Sequence, residues 1–452
     1  MRFTLKHAAL VAACAAAFPA HATNGSFLPG FGVKSTGVGG VGIALQADAL
    51  SQLANPANAT ELGMRGDLGL TLLNPKRTSK VGDSTGLETD NFSAAFGFNE
   101  GDTSGNPLFL MPDMAMTMPL SDRLSMGFAV AGLGGGNSTF KKNIFSSTFF
   151  PNQPNGNVED GAGVDLMQLI APVTLAFKVT PQHSVGVSLN LAAQRFKANG
   201  LGQFATFGGT GISSDRDNLT NKGYDYSYGA GVKLGWLGKF MDDRVMVGAT
   251  WASRTYMTKF DKYRGLFAEQ GDLDYPENYG IGLTVKPVDK LTVSADVTRI
   301  LFNDVAAMGN KGPGTEEDGF FYILGQLTLP GNIYRTAADQ GMGFGWNNMT
   351  VYKLGVIYDA NKDLTLRAGY NYGKSPVRPG QLVFSALAPA VVEKHYSVGF
   401  TYKMKGEMDW EISGAYMYVP KNTQEGCDQA VVDCVSLSMS QNVLGIGFGV
   451  MY

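Results

Sequence analysis

The chain has little cysteine and histidine, no long hydrophobic run after its N-terminal segment, and no excess of basic charge. Three cysteines and four histidines among 452 residues leave few ligands for a metal ion and few bases for a catalytic nucleophile. Lys and Arg number 36 against 39 Asp and Glu, so the net charge is −3 and a nucleic-acid partner is not indicated. We therefore expect no catalytic site, no cofactor, no metal and no nucleic-acid partner.

No stretch of about 18 apolar residues follows the N-terminal segment, so the sequence predicts no transmembrane helix. The mean hydropathy of −0.04 is that of an ordinary soluble protein. A membrane β-barrel has such values because its apolar residues occupy alternate positions. The 59 glycines and the aromatic content of 11% fit the turns and interfacial girdles of a barrel, although a secreted all-β protein could share them.

The C-terminal residues have the two-residue period of a β-strand. Large apolar side chains occupy every second position, namely Leu444, Ile446, Phe448, Val450 and the C-terminal Tyr452. Glycines 445, 447 and 449 lie between them and would face the lumen, where a plug or ligand could approach the wall closely. A closing strand that ends on an aromatic residue is typical of bacterial outer-membrane barrels.

The first 22 residues have the features of a secretory signal peptide. Arg2 and Lys6 precede an apolar run, and Ala20-His21-Ala22 is a small-x-small cleavage site, so we expect the mature chain to begin at Thr23. Val11 to Cys14 resembles a lipobox, which leaves a lipoprotein signal as the alternative.

Six short polar turns lie between amphipathic segments, and each predicts a β-hairpin. They are Ser121-Asp122-Arg123, Thr180-Pro181-Gln182-His183, Met241-Asp242-Asp243, Pro287-Val288-Asp289, Asp359 to Asp363 and Lys405-Gly406-Glu407. An opening strand near residues 66–79 and a closing strand after residue 439 complete an antiparallel transmembrane β-barrel of fourteen strands. We assign the short turns to the periplasmic side. Seven longer segments are predicted to be extracellular loops, at residues 80–108, 134–164, 199–222, 259–275, 305–348, 376–393 and 421–438, and residues 91–99 could add a short strand.

The mature chain retains two cysteines, Cys427 and Cys434, in a polar segment. In an oxidising compartment we expect a local disulfide between them. Two free thiols are the alternative. A zinc site is not indicated, because two thiolates without a nearby histidine do not complete a tetrahedral shell.

Residues 23–65 precede the barrel, which we assign to residues 66–452, and they are rich in small residues. A fourteen-stranded barrel is too wide to be filled by its own side chains, so this segment is predicted to be a plug inside the lumen. A disordered periplasmic tail is the alternative, which the apolar residues Ile43, Leu45, Leu50 and Leu53 disfavour. Gly37, Gly39 and Gly42 match G-x-G-x-x-G, but no βαβ unit surrounds them, so we do not assign a dinucleotide site.

The N-terminal motifs resemble the hatch of FadL-type outer-membrane transporters of long-chain fatty acids and hydrocarbons. They are Asn24-Gly25-Ser26-Phe27, a glycine-rich run, Ala47-Asp48-Ala49 and Asn55-Pro56-Ala57. Leu366 to Gly369 followed by Ser375-Pro376-Val377 resembles a strand and loop of that family. Gly373-Lys374 and Ala47-Asp48-Ala49 depart from the acidic residues expected at these places, which leaves the substrate open.

The resemblance implies passive uptake of a hydrophobic molecule by loop capture, hatch movement and sideways exit through a kinked strand. It assigns gating roles in the hatch to Asn24, Gly25, Phe27, Asn55, Pro56 and Ala57. Gly132, Gly134, Gly135 and Gly136 are the candidate kink, because glycines interrupt strand pairing. A flexible start to the second loop is the alternative for these glycines.

Candidate ligand-binding residues come from the loops and from strand parity. The loops contain Phe140, Phe145, Phe149, Phe150, Phe204 and Phe207, which could form an apolar groove or pack the loops against one another. Parity turns Arg254, Lys353 and Arg367 inward, where a cation could bind a carboxylate or simply line the lumen.

The expected partners are a long-chain fatty acid or hydrophobic hydrocarbon, outer-membrane lipid and lipopolysaccharide, and the barrel-assembly machinery. A closed barrel has no free edge that demands a partner, so we expect a monomer. The alternative function is a general diffusion porin, which would conduct ions through an open lumen, whereas a plugged transporter would conduct little.

Overall fold

The computed structural model describes residues 24–81, 102–105, 108–141, 161–205, 213–312, 336, 341–406, 408–427 and 434–452. The predicted signal peptide and the possible strand at residues 91–99 lie outside these ranges.

Fourteen long antiparallel strands form the barrel. They are β1 (Arg65–Val81), β2 (Phe109–Pro119), β3 (Leu124–Asn137), β4 (Gly163–Lys178), β5 (His183–Asn199), β6 (Asp225–Phe240), β7 (Val245–Ala252), β8 (Asn278–Val288), β9 (Leu291–Ile300), β10 (Met349–Asp359), β11 (Leu364–Gly373), β12 (Lys394–Met404), β13 (Asp409–Cys427) and β14 (Cys434–Met451). Two further strands of two residues, Asp102–Thr103 and Tyr256–Met257, pair with β1 and β6.

Each barrel strand pairs with its neighbours in sequence, and β14 pairs with β1 along its whole length. This last ladder runs from Arg65↔Met451 to Val81↔Val435 and closes the sheet. The predicted closed barrel of fourteen strands is therefore confirmed. Closure satisfies the backbone groups of both terminal strands, which a membrane-spanning sheet requires.

The two faces of the strands differ as the alternation predicts. On β14, Leu444, Ile446 and Phe448 are about half exposed, whereas the glycines between them are buried. On β5, Val187 and Leu189 are exposed and the intervening Ser188 is buried. The outer surface is therefore apolar and the inner face small or polar, the arrangement of a barrel surrounded by lipid.

All six predicted hairpins are present, and their turns share one end of the barrel, which we call the turn end; the other is the loop end. The predicted loop at residues 421–438 is wrong, because β13 continues to Cys427 and β14 begins at Cys434. Backbone pairing continues beyond the apolar part of these strands, so polarity marks the end of the lipid-facing band and not the end of the ladder. The register places Cys427 opposite Cys434. Their disulfide remains a prediction.

The helices of the described ranges are short and lie in the N-terminal segment and the connections. The α-helices are Gly32–Gly37, Ser51–Ala54, Ala268–Gly271, Ala306–Gly309 and Leu382–Ser385, and the 3₁₀ helices are Pro56–Glu61, Gly202–Phe204, Arg216–Asn218, Asp261–Tyr263 and Phe302–Asp304. Within the described part of the chain, no helix is long and apolar enough to cross a membrane.

Residues 24–62, which we call the lumen segment, pack against the inner faces of strands around the barrel. Hydrogen bonds join Ala49 to Asp67 on β1, Gln52 to Met116 on β2, Thr60 to Ser184 on β5, Gly42 to Asp296 on β9, and Gly39 to Ser397 on β12. Inward glycines permit the close approach: a Cβ atom on Gly445 would lie 3.1 Å from Val33. The segment thus occupies space that β-strand side chains leave empty.

Candidate functional site

Asn55 fastens the middle of the lumen segment to the wall. Its side-chain amide donates to the carbonyl oxygens of Ile43 and Trp236, both at 2.9 Å, and its Oδ1 accepts the amide of Ala57 at 3.0 Å. The last contact caps the 3₁₀ helix that Pro56 begins. The Asn-Pro-Ala sequence therefore works as a compact clasp, in which Pro56 contributes a fixed φ and asparagine satisfies three backbone groups.

A buried ion cluster fastens the first helix of the lumen segment. Lys34 and Arg65 both bind the carboxylate of Glu411 on β13, and Arg65 also contacts Asp67 at 2.6 Å. All four side chains are more than 90% buried, so their charges must be paired within the cluster. Near the turn end, Glu61 forms a further ion pair with Lys239 at 2.9 Å.

Two inward lysines hold the segment from the opposite side. Lys353 Nζ donates to the carbonyl oxygens of Pro29 at 2.7 Å and Gly40 at 3.0 Å. Lys233 Nζ donates to the carbonyl of Leu53 at 2.6 Å. The predicted ligand cation Lys353 therefore binds backbone of the lumen segment in this structure, and its role toward a ligand stays a prediction.

The wall of the barrel is interrupted between β2 and β3. Their pairing extends from Pro119↔Ser125 to Met114↔Val130 and stops there, although both strands continue toward the loop end. On its other side, β3 has a register shift against β4 between Gly132 and Gly134. The candidate kink glycines thus coincide with a bulge and with a gap in the wall.

The start of the lumen segment occupies the edge of β3 that β2 leaves unpaired. Leu28 donates its amide to the carbonyl of Leu133 at 3.0 Å, and Gly135 donates to the carbonyl of Ser26 at 3.1 Å. Gly134 must be a glycine here, because a Cβ atom would overlap the Ser26 carbonyl oxygen. A short piece of the lumen segment therefore replaces a strand in the sheet.

The Met111 side chain lies across the gap. A Cβ atom on Gly132 would overlap Met111 Cε, so this methionine on β2 reaches the backbone of β3 where hydrogen bonding between the two strands has ended. The unbranched, flexible side chain of methionine can fill an irregular space of this kind.

Three of the cavities beside the lumen segment bear on the candidate site. The loop cavity, of about 830 Å³, lies among the connections at the loop end and is apolar. Its wall is rich in aromatic rings from several parts of the chain, including Phe196, Phe204, Phe267, Phe344, Trp346 and Phe384. The Phe204 and Phe384 rings lie 5.4 Å apart, and the Trp346 indole donates to Ser385 at 3.1 Å, so its polar atom is satisfied.

The central cavity, of about 920 Å³, lies inside the barrel beside the lumen segment. Its acidic and basic side chains among the described residues are Lys233, Asp296 and Lys353. Asp296 Oδ2 accepts the amides of Gly42 at 2.8 Å and Ile43 at 3.1 Å. The rest of the lining is mostly apolar.

The wall cavity, of about 490 Å³, lies behind the gap and is lined by Met111, Asp113, Gly132 and Gln441 among others. Residues 28–31 line both this cavity and the central cavity, and Ser26 lines the loop cavity. The start of the lumen segment is therefore a common boundary of all three spaces.

The predicted gating residues lie at this boundary or in the clasp. Asn24 and Phe27 line the central cavity, and the Phe27 ring lies 5.9 Å from the ring of Phe302. Gly25 has φ of +65° and packs against Phe302, where a Cβ atom would come within 2.6 Å of the ring. The sequence predicted one gating group, whereas the structure places its members at two sites, the cavity boundary and the clasp at Asn55.

The predicted aromatic ligands are only partly brought together. Phe204 lines the loop cavity, whereas Phe140 is buried outside the lining of all three cavities. Phe145, Phe149, Phe150 and Phe207 lie outside the described residues. Phe384 and Trp346 were not predicted as ligand-binding residues. They lie in connections predicted to be loops, where no alternation of apolar and polar residues indicates which side chains face inward.

Arg254 and Arg367 line none of the three cavities. Arg367 donates to Thr401 at 2.6 Å, and Arg254 Nη1 lies 3.8 Å from Asp274 Oδ2. Burial, together with the negative charge of Asp272, raises the pKa of Asp274 to about 7, against the opposing effects of the Met257 amide and Arg254. Lys233, by contrast, was not predicted as an inward cation. It precedes the outward Leu234 on β6, so the alternation of the strand could have identified it as one.

No group of three or more His, Cys, Asp or Glu side chains in the described ranges could hold a metal ion. The arrangement offers apolar enclosure, a few fixed charges and a break in the wall.

Comparison with known proteins gives a consistent picture. A family model described as outer membrane protein transport protein (OMPP1/FadL/TodX) matches residues 13–452. The fold is similar to the Pseudomonas putida toluene transporter TodX, with 19% identity, a TM-score of 0.62 and coverage of 94% of this chain and 99% of that one. A Pseudomonas aeruginosa FadL homologue is 15% identical with a TM-score of 0.64, and the match covers 95% of this chain and 99% of that one. The Ralstonia pickettii toluene transporter TbuX is 16% identical with a TM-score of 0.59, and the match covers 93% of this chain and 98% of that one. Curated protein sequences gave no match.

Proposed function

Because the chain belongs to the outer membrane protein transport protein family OMPP1/FadL/TodX, we propose that it takes up hydrophobic molecules by hatch movement and sideways exit through its wall. Family membership makes it an outer-membrane transport channel for hydrophobic compounds and not an enzyme. The relatives named as toluene transporters and as a FadL homologue suggest aromatic hydrocarbons or long-chain fatty acids as the range of substrates.

The observation that carries this proposal is the position of residues 24–32, which border the loop, central and wall cavities together. A small displacement of this stretch would join the three spaces. We therefore assign residues 23–65 as a hatch whose first residues are the moving part. The clasp at Asn55 and the ion cluster at Lys34 keep the remainder in place.

The route begins at the loop cavity, where aromatic side chains shield an apolar ligand from water. It continues past Ser26 and Phe27 into the central cavity, and past residues 28–31 into the wall cavity. From there the gap between β2 and β3 leads to lipid. Sideways exit suits an oily molecule, because transfer from a cavity to lipid avoids the free-energy cost of exposing apolar surface to water.

Uptake by the purified full-length mature protein in liposomes tests the proposal. We expect faster entry of labelled toluene or palmitate than in protein-free liposomes. We also expect little ion conductance in planar bilayers, because the lumen segment packs across the inside of the barrel. Large stable conductance without uptake of either ligand would favour the alternative of a diffusion porin.

A reversible cross-link tests the exit. In a Cys427→Ser/Cys434→Ser background, Met111→Cys and Gly132→Cys can be joined by a short bis-thiosulfonate reagent, which ties β2 to β3 across the gap. We expect uptake to stop and to return on reduction. Met114→Cys with Val130→Cys is the matched control, since that pair already faces across an intact ladder. Undiminished uptake with the gap tied would instead favour exit past the hatch.

A further inference from the structure

The wall cavity differs in charge from the cavity that precedes it on the route. The central cavity contains two lysines and one aspartate among its described lining residues. In the wall cavity, Asp113 on β2 is the one ionisable side chain of the described lining. A molecule that moves from the first space to the second thus leaves two cations and meets a carboxyl group.

Among the described residues, no cation is paired with Asp113. The residue is 9% exposed, and among the described residues its Oδ1 has no hydrogen-bond partner. The acidic neighbours Asp48 and Asp67 act on it electrostatically. Of the cations closest to those acids, Lys34 is bound to Glu411, and Arg65 is bound to both Glu411 and Asp67.

Gln441 on β14 gives the same cavity a second unsatisfied polar side chain. It is 1% exposed, and neither its amide nitrogen nor its amide oxygen has a hydrogen-bond partner within the described structure. Both side chains lie behind Met111 and Gly132, so they border the last space before the gap.

We propose that the wall cavity selects for neutral hydrophobic molecules and against carboxylates, with Asp113 as the residue that determines this specificity. The inference rests on the proposed function and narrows its substrate class to uncharged hydrocarbons. A carboxylate that enters this space loses hydration without gaining a cation, and it approaches a like-charged or uncharged carboxyl group. A neutral ligand of the same skeleton has no such cost.

The test compares two ligands with the same carbon skeleton, n-butylbenzene and 4-phenylbutanoate, at pH 7 in proteoliposomes. For the unmodified protein we expect n-butylbenzene to enter at least tenfold faster, relative to the protein-free rate of each ligand. Asp113→Asn is expected to narrow that ratio at least threefold through faster uptake of the carboxylate, with uptake of the neutral ligand unchanged.

Gln441→Glu is the variant with the opposite expected effect. It keeps the shape of the side chain and adds a second carboxyl group, so the ratio should widen. Asp122→Asn is the matched control, because it makes the same charge change in the exposed turn of the β2–β3 hairpin, far from the cavity. Heat-modifiable electrophoretic mobility of each variant establishes that the barrel has folded.

Equal entry of both ligands in the unmodified protein, or an unchanged ratio in folded Asp113→Asn and Gln441→Glu, would overturn this inference while leaving the proposed transport intact. Absence of uptake of both ligands would overturn the proposed function, and the inference with it.

Discussion

The amide of Leu28 donates a hydrogen bond of 3.0 Å to the carbonyl oxygen of Leu133, which joins the lumen segment to the strand beside the gap in the wall. Ser26 and Gly135 form a second such bond at 3.1 Å. These bonds satisfy backbone groups of β3 that β2 leaves unpaired. Movement of the lumen segment would therefore break them and expose the edge of β3 at the same time. The gap and the lumen segment are thereby coupled through the backbone.

Gly134→Ala should detach the start of the lumen segment from β3. The new methyl group would overlap the Ser26 carbonyl oxygen, which is backbone and cannot rotate away. We expect at least a tenfold faster reaction of a Leu28→Cys reporter with a water-soluble maleimide in the Cys427→Ser/Cys434→Ser background. Gly136→Ala is the control, since its methyl group would lie 3.4 Å from Ala388, an ordinary contact. Equal labelling rates in the two variants would contradict the coupling.

Asn55→Asp should destabilise the protein although it preserves shape. The carboxylate can still accept the Ala57 amide, but it cannot donate to the buried carbonyls of Ile43 and Trp236. Leaving two buried acceptors unsatisfied should lower the free energy of unfolding by about 2–4 kcal/mol, measured by urea titration in detergent micelles.

The matched control for Asn55 is Asn361→Asp in the exposed turn between β10 and β11. Asn361 Oδ1 only accepts hydrogen bonds, from the amides of Asp363 and Leu364, both at 2.9 Å. A carboxylate retains both bonds, so we expect a change below about 0.5 kcal/mol. A similar loss in the two variants would mean that the donated bonds of Asn55 are unimportant.

The barrel could be predicted from sequence because its two governing patterns are local. A period of two assigns faces, and short polar turns mark hairpins, so Leu444 and its neighbours identified the closing strand without tertiary information. The same parity turned Lys353 inward correctly. The end of β13 was misplaced because backbone pairing there continues through polar residues that carry no periodic apolar signal.

The cavities could not be predicted in the same way. Trp346 and Phe384 are distant in sequence and lie in irregular connections, so only the fold brings them to one wall of the loop cavity. The clasp at Asn55 depends on a carbonyl of Trp236, about 180 residues away. The sequence did not identify Asp113 as a candidate site residue. Its importance depends on the place where pairing between β2 and β3 stops, and strand register is a tertiary property.

The loop end should become less stable as pH rises, through Asp274. Its folded pKa of about 7 lies above the value of about 3.9 expected when unfolded, so the folded state binds the proton more tightly. The contribution of Asp274 to the free energy of unfolding is fully present below about pH 4, and it is lost as the pH rises toward and through 7. Hydrogen exchange at residues 253–277, corrected for intrinsic rates, should show less protection at pH 8 than at pH 5. Asp274→Asn should remove most of that difference, and its persistence in the variant would assign the effect to another group.

Phe204→Ala should weaken ligand binding. Phe204 lines the loop cavity and packs against Phe384, so its removal takes apolar contact area from a bound ligand and admits water. Loss of about 1–2 kcal/mol of contact corresponds to roughly tenfold weaker binding of n-butylbenzene, measured by displacement of a fluorescent apolar probe.

Phe140→Ala is the matched comparison, because Phe140 is equally enclosed but lies outside all three cavity linings. That variant should lose about 3 kcal/mol or more of folding stability and retain its affinity. If both variants lost affinity alike, the phenylalanines would affect binding only by packing the loops against one another. That is the alternative role given for them in the sequence analysis.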